Sequence, residues 1–215
     1  MPTPFFRALF VVALAGASPA TAADLVVDIS DDNGAAVANA VVTLKPADGS
    51  RAPVPAMVQD PATIDQRNEQ FVPLVTILAA GGSIVFKNSD RTRHHVYSFS
   101  SIKPFEFVLN PGKQSPPVVM DQPGVAAIGC NIHDRMVAYV FVSDTAWSAL
   151  SNASGQATLV EIPDGAYKLS VWHPQLKAGD QGPQQDVIVS GASQSAKATL
   201  SLSSERPHGG HTREY

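Results

Sequence analysis

The chain has 215 residues, of which 44% are hydrophobic and 16% are charged, and its formal net charge at pH 7 is -4. A chain of this length can form one large domain or two small ones, each with a hydrophobic core of its own. The weak acidic balance, without a stripe of Lys and Arg, argues against a nucleic-acid-binding protein.

The first residues have the order of an export signal. Arg7 precedes an apolar run over residues 8–15, and small residues follow as far as Ala20-Thr21-Ala22. This order predicts a secretory signal peptide over residues 1–22, cut after Ala22, because the apolar run is too short to cross a bilayer. No second apolar run of about 18 residues or more follows. We therefore expect an exported protein with no membrane span in its mature form.

Two short apolar runs follow the signal. They predict strands at Leu25–Ile29 and Ala40–Leu44, with a tight turn at Asp32-Asn33-Gly34 between them, because Asn-Gly supplies the positive φ that such a turn needs. Residues 47–62 are interrupted by three prolines and show no clear period. This stretch is typical of a linker or an irregular sheet edge.

The middle of the chain alternates short apolar runs with turns rich in Gly, Pro and Asn. Several such runs in one block are typical of a β-sandwich. The predicted strands are Phe71–Leu78, Ser83–Lys87, Val96–Ser100, Pro104–Leu109, Pro117–Met120, Val125–Cys130 and Met136–Val142.

A second series of strands follows. A helical turn is predicted at Asp144–Leu150, and the polar tail at residues 204–215 is expected to be disordered. The fold class predicted for the whole chain is all-β. The strands predicted in this part are Gly155–Ile162, Ala166–Trp172, Gln185–Ser190 and Ala196–Leu202.

One loop of the middle block carries three potential metal ligands. Gly129-Cys130-Asn131-Ile132-His133-Asp134-Arg135-Met136 contains a thiolate, an imidazole and a thioether. Soft sulfur ligands with imidazole favour copper over magnesium, calcium or manganese, and one Cys with two His and a long axial Met describes a blue-copper site. A structural zinc site uses four good donors, and a thioether is a poor one. The loop therefore predicts a copper site that lacks one histidine.

The missing histidine should come from the segment Asn88-Ser89-Asp90-Arg91-Thr92-Arg93-His94-His95. Side chains alternate across a strand, so only one of His94 and His95 can point at Cys130. Cys130 is the only cysteine, and an unpaired thiol in an exported protein is either an intermolecular partner or a reactive or ligand group. The alternatives are a buried inert thiol for Cys130 and core packing for Met136.

These residues resemble the cupredoxins, small β-sandwich copper proteins such as plastocyanin and amicyanin. The resemblance covers residues 54–143 and consists of Val85-Phe86-Lys87-Asn88, the loop to a histidine, and the distant Cys-x2-His-x2-Met motif. Further motifs resemble the periplasmic proteins labelled methylamine utilization or plastocyanin-like. These motifs are Phe99, Pro104-Phe105-Glu106, Pro123-Gly124-Val125 and Gly129-Cys130-Asn131-Ile132-His133-Asp134.

The resemblance implies a Greek-key β-sandwich that holds one copper ion. In the family the first ligand histidine precedes a small or polar residue and then Val, which implies His94 rather than His95. Asn88 is implied to hold the turn that leads to this histidine. The resemblance further implies a periplasmic protein with a redox partner such as an amine dehydrogenase or a c-type cytochrome. The implied ligands are His94, Cys130, His133 and Met136.

The flanking segments resemble the carboxypeptidase regulatory-like sandwich. We therefore predict a second small β-sandwich that is split around the copper domain, with residues 24–50 as its first half and residues 144–203 as its second. In the alternative, tandem arrangement, residues 24–46 form an extra edge of the copper domain. The motifs that carry this resemblance are Asp32 to Val42, Gly155-Gln156-Ala157 and Pro163 to Leu169.

The leading functional interpretation is a periplasmic type 1 copper protein that carries single electrons between redox partners. The alternative is a non-redox copper-binding or copper-handling protein. A third is a structural or ligand-binding sandwich with a vestigial copper site, in which Tyr167, Trp172 and His173 contact a partner or a sugar. We do not expect an enzyme, because a copper ion capped by Met has no open position and no other catalytic arrangement is apparent.

Three arginines, namely Arg91, Arg93 and Arg135, are predicted to lie near the copper site. Their positive charge would attract an acidic redox partner to this end of the protein.

Overall fold

The computed structural model describes residues 22–53, 60–133, 135–177, 179–191 and 193–203. The predicted signal peptide, apart from Ala22, and the predicted tail at 204–215 lie outside these residues. Within them the regular secondary structure is entirely β, and no helix long and apolar enough to cross a membrane is found there. The strands are β1 (Ala22–Asp31), β2 (Val41–Pro46), β3 (Ala62–Arg67), β4 (Gln70–Val72), β5 (Val75–Ala79), β6 (Gly82–Asn88), β7 (His94–Ser98), β8 (Phe105–Leu109), β9 (Val118–Met120), β10 (Gly124–Cys130), β11 (Val137–Ser143), β12 (Ser148–Leu150), β13 (Gln156–Pro163), β14 (Gly165–Trp172), β15 (Gln184–Val189) and β16 (Gln194–Leu200).

The consecutive strands β3 to β11 form a two-sheet unit, here named the central sandwich. Its sheets have the strand orders β5-β11-β10-β7-β8 and β4-β3-β6-β9. Phe86 of β6 is fully buried and packs against Phe71 and Phe105. Burial of one such side chain stabilises the folded state by about 1.5–3 kcal/mol. The same apolar cluster extends to Cys130 and Met136, so the predicted ligand loop begins and ends in this core.

The strands β1, β2 and β12 to β16 form a second two-sheet unit, here named the terminal sandwich. Its sheets have the orders β13-β1-β16 and β12-β2-β14-β15. β1 is antiparallel to β13 and parallel to β16, so the first described strand lies between two strands from the other end of the chain. The predicted fold class, all-β with a second sandwich split around the first, is confirmed.

Aromatic side chains join the two sandwiches and fill the terminal core. Trp172 of β14 contacts Tyr139 and Phe141 of β11, with ring centroids 5.7 Å apart in both pairs. Tyr167 is buried in the terminal core against Trp147, with a centroid distance of 5.4 Å. The aromatic residues that the sequence offered as a partner surface are thus used for internal packing.

The predicted strand Phe71–Leu78 is in fact two strands. β4 belongs to the four-stranded sheet of the central sandwich and β5 belongs to the five-stranded sheet. Pro73 lies between them and has no N–H group with which to continue a ladder. This segment therefore crosses from one sheet to the other.

Two short elements also differ from the prediction. β3 is an additional strand, whose buried Asp65 and Gln66 interrupt the apolar alternation by which a strand is recognised. β12 replaces the helical turn predicted at Asp144–Leu150. The Ser143 and Thr145 side chains bond to the local backbone there, which competes with helix formation.

Candidate metal centre

The pairing of β7 with β10 sets the position of the candidate site. β7 begins at His94, β10 ends at Cys130, and Cys130 lies opposite Val96 in the antiparallel ladder. Because side chains alternate along a strand, His94 and Val96 share the inner face of β7 while His95 lies on the outer face. His94 and Val96 are both 0% exposed. The register therefore turns His94 toward Cys130.

Three potential ligand atoms face one another at the end of the central core. The Sγ of Cys130 lies 3.7 Å from the Nδ1 of His94 and 3.9 Å from the Nδ1 of His133. All three atoms lie within 4.8 Å of one another. A trigonal ion with bonds of about 2.0–2.1 Å to nitrogen and about 2.3 Å to sulfur separates its N and S donors by about 3.8 Å. The observed spacing fits three donors around one ion.

Met136 closes the ligand loop. Its backbone N–H donates to the His133 carbonyl at 2.9 Å, which makes the end of the loop a tight turn. The Met136 side chain is 1% exposed and belongs to the same apolar cluster as Cys130. This buried position is compatible with both roles predicted for Met136, an axial thioether ligand and a core-packing side chain.

His95 has a separate set of contacts on the outer face of β7. Its Nε2 lies 2.7 Å from the Oε1 of Glu106, and its Nδ1 lies 3.5 Å from the Nδ2 of Asn131. The backbone N–H of Asn131 also donates to the His95 carbonyl at 3.0 Å. His95 therefore fastens the start of the ligand loop to β7, and of the two histidines only His94 joins the cluster with Cys130 and His133.

Asn88 holds the segment that leads to His94. Its Nδ2 donates to the carbonyls of Thr92 and Leu109, both at 2.9 Å, and its Oδ1 accepts from the Asp90 N–H at 3.0 Å. Asn88 is fully buried, so these bonds are made away from competing water. They fix the turn before β7 and thereby the entry of His94 into the core.

Two carboxylates contact the outer nitrogens of the clustered imidazoles. The Nε2 of His94 lies 2.9 Å from the Oδ2 of Asp90, and the Nε2 of His133 lies 3.5 Å from the Oε1 of Glu69. Burial acts to raise the pKa of Asp90. Hydrogen bonds from the Glu69 N–H, from His94 and from the Asn68 N–H outweigh it and hold that pKa below its ordinary value. The Asp90 side chain is therefore charged at neutral pH.

Sequence reasoning missed both carboxylates. Asp90 lies four residues before His94 in the sequence. This short separation is a local signal from which the contact could have been predicted. Glu69 lies in a different hairpin from His133, and no local pattern connects them. Its contact depends on how β3 and β4 pack beside the ligand loop.

One edge of the cluster reaches the surface. The His133 side chain is 22% exposed, whereas that of His94 is 0% exposed. Ile132 beside it is 48% exposed. The two loops that supply the imidazoles carry three exposed arginines, namely Arg91, Arg93 and Arg135.

The donor set selects among metals. One thiol, two imidazoles and a neighbouring thioether suit copper, because soft sulfur ligands select it and hard cations such as magnesium and calcium prefer oxygen. Zinc in structural sites prefers four strong donors. Within the described residues, the cluster offers three strong donors and a thioether. The residues present therefore fit copper.

No protein-family model and no curated protein sequence matches the chain. Among solved structures, it is similar to a copper-containing nitrite reductase from Thermus scotoductus, with 22% identity, a TM-score of 0.36, and coverage of 41% of this chain and 25% of that one. It is similar to a purple cupredoxin from Nitrosopumilus maritimus, with 24% identity, a TM-score of 0.35, and coverage of 38% and 99%.

It is also similar to a reduced mutant of amicyanin, with 13% identity, a TM-score of 0.37, and coverage of 47% of this chain and 98% of that one. The chain thus spans nearly all of the two small copper proteins and a quarter of the nitrite reductase.

Proposed function

We propose that this protein is an exported one-electron carrier whose copper ion is held by His94, Cys130, His133 and Met136. The observation that carries the proposal is the 3.7 and 3.9 Å spacing of the Cys130 Sγ from two imidazole Nδ1 atoms. When bound, copper supplies one-electron chemistry by changing between its cuprous and cupric states.

The burial of the donors favours a carrier over an enzyme. Cys130 is 3% exposed and His94 is 0% exposed, so the protein excludes water from two of the donors. Met136 is equally buried on the core side of the loop. His133, with its partly exposed edge, offers the short route by which an electron reaches the surface. Among the four ligand residues, all of them described, only His133 has an edge that a substrate could reach.

The proposed location is the periplasm, on the basis of the signal-like sequence at residues 1–22. The proposed partner is a redox protein such as an amine dehydrogenase or a c-type cytochrome. The exposed Arg91, Arg93 and Arg135 support an acidic docking face on that partner, because opposite charges raise the rate of encounter. Replacing all three by Gln should flatten the salt dependence of electron transfer, and an unchanged dependence would contradict this docking mode.

The visible spectrum of the protein with cupric ion tests the copper site. A thiolate bound to cupric copper should give a strong visible band that is absent from Cys130→Ala. His94→Ala and His95→Ala form a matched pair of neighbouring histidines. We expect the first to abolish or shift the band and the second to retain it, since only His94 faces Cys130.

The other outcomes are equally informative. If copper binds without a visible band and only in the cuprous state, the copper-handling alternative replaces the electron carrier. If the band survives in His94→Ala and disappears in His95→Ala, the ligand assignment is wrong.

A further inference from the structure

The turn between β3 and β4 lies beside the candidate metal centre. Arg67 pairs with Gln70, so Asn68 and Glu69 are the two residues of a tight hairpin turn. Both have positive φ, 51° at Asn68 and 57° at Glu69. Asn adopts this conformation readily, but Glu does so much less often. Turn preference therefore does not explain why Glu occupies position 69.

Asp90 links this turn to the buried imidazole. Its carboxylate accepts the backbone N–H of Asn68 at 2.6 Å and that of Glu69 at 3.1 Å. The same Oδ2 that bonds to Glu69 lies 2.9 Å from the Nε2 of His94. The Asp90 side chain is 11% exposed and that of His94 is 0% exposed, so little water competes for this bond.

Glu69 itself extends from the turn to the second imidazole. Its Oε1 lies 3.5 Å from the Nε2 of His133, a looser contact between side chains that are 58% and 22% exposed. The turn thus holds the Asp90 carboxylate at the outer nitrogen of His94 and brings its own Glu69 carboxylate to that of His133.

We infer that Asp90 and Glu69 are positioning residues that orient both imidazoles toward Cys130 and favour the cupric over the cuprous state. This inference rests on the proposed copper site. A neutral imidazole that donates its Nε2–H to a carboxylate has an unprotonated Nδ1, the atom that faces Cys130 in both histidines. A negative charge behind each ligand also makes the imidazole a stronger donor, which stabilises the more highly charged ion.

The test compares Asp90→Asn and Glu69→Gln with the control Glu106→Gln in the full-length protein. Glu106 makes the same kind of contact, 2.7 Å to the Nε2 of His95, but on the face away from the cluster. Removing a carboxylate behind a ligand weakens metal affinity by about 10- to 100-fold. We expect Asp90→Asn to weaken cupric relative to cuprous affinity by about tenfold, which is about 59 mV higher in midpoint potential for one electron. Glu69→Gln should act in the same direction with a smaller shift, and Glu106→Gln should have none.

A second measurement needs no metal. In the copper-free protein, nitrogen-15 NMR of the imidazoles should show the Nε2–H tautomer at His94, and Asp90→Asn should weaken its preference. Unchanged tautomers and affinity ratios in both variants would overturn the inference while leaving a visible copper band, and hence the proposed function, intact. An equal shift of the midpoint potential in Glu106→Gln would also overturn the inference, because the shift would then come from the loss of any nearby negative charge. If Asp90→Asn fails to fold, the change of affinity ratio in the exposed Glu69→Gln variant alone tests the inference.

Discussion

Two buried polar residues, one in each sandwich, have different kinds of partner. In the terminal sandwich the Ser151 Oγ accepts from the Ala40 N–H at 2.9 Å and donates to the Val37 carbonyl at 2.8 Å. In the central sandwich the Cys130 Sγ has imidazole nitrogens at 3.7 and 3.9 Å. Ser151 thus completes the hydrogen bonds of the backbone around it, whereas Cys130 faces two further ligand atoms. A buried polar group that completes backbone hydrogen bonds therefore differs in its partners from one that is proposed to bind an ion.

The largest effect should follow from damage to the terminal core. Leu169 of β14 is 1% exposed, and Leu169→Ala should lower the free energy of unfolding by about 2–5 kcal/mol through lost burial and an unfilled cavity. Denaturant titration measures this, with Val160→Ala as a control, since Val160 is 55% exposed on β13 of the same sandwich. The copper band should survive in the folded variant. Loss of the band under folding conditions would show that the two cores are not independent.

A smaller effect is expected from the buried serine of the terminal sandwich. Ser151→Ala removes the partner of the Ala40 N–H and the Val37 carbonyl, which costs about 1–3 kcal/mol when both groups stay buried. The exposed Ser154→Ala is the control. Equal unfolding midpoints for the two variants would show that the bonds of Ser151 to Ala40 and Val37 do not stabilise the terminal sandwich.

The third effect depends on pH and is the smallest at neutrality. His173 is buried, with its Nε2 donating to the Ala38 carbonyl at 3.2 Å and its Nδ1 accepting from the Gln175 N–H at 3.1 Å. Burial lowers the pKa of His173, and the bond to Ala38 only partly offsets it. The unfolded chain therefore binds a proton more readily than the folded one below about pH 6.5.

The stability that neutral His173 contributes should be fully present above that pH and be lost as the pH falls through it toward the lower native pKa. The measurement is the free energy of unfolding at several pH values, for the protein and for His173→Gln. The variant should lose less stability on acidification. Identical pH profiles for the two proteins would contradict this assignment.

The sequence was sufficient to predict which side chains of one loop could form a cluster. The spacing of Cys130, His133 and Met136 restricts three side chains to one loop, and the structure brings the Cys130 and His133 ligand atoms together. The all-β class followed from short apolar runs between turns, and it is confirmed. These features depend on residues that are close in sequence, where the strand period and the turn residues determine which side chains can meet.

The additional strand β3 and the contact that depends on it were not predictable. β3 carries buried Asp65 and Gln66, so its residues do not alternate as a half-buried strand does. Without β3 there is no β3–β4 turn, and without that turn nothing in the sequence places Glu69 beside His133. Pro73 separates β4 from β5. The apolar residues on both sides of it made the segment resemble one continuous strand.

The crossing of the chain between sandwiches has a consequence for folding order. The strand before the central sandwich and the strand after it are neighbours, since β12 pairs with β2 and the Ala146 N–H donates to the Pro53 carbonyl at 2.7 Å. The terminal sandwich also joins residues as distant as Asp32 and Ser201, which are 169 positions apart. Closing a loop costs only about 0.6 kcal/mol more for each doubling of its length. The central sandwich, as a long contiguous insert, therefore adds little to the free-energy cost of closing the terminal sandwich. However, β1 can pair with β16 only after β16 has been synthesised. The central sandwich, which contains the ligand loop, is thus synthesised completely before the terminal sandwich is.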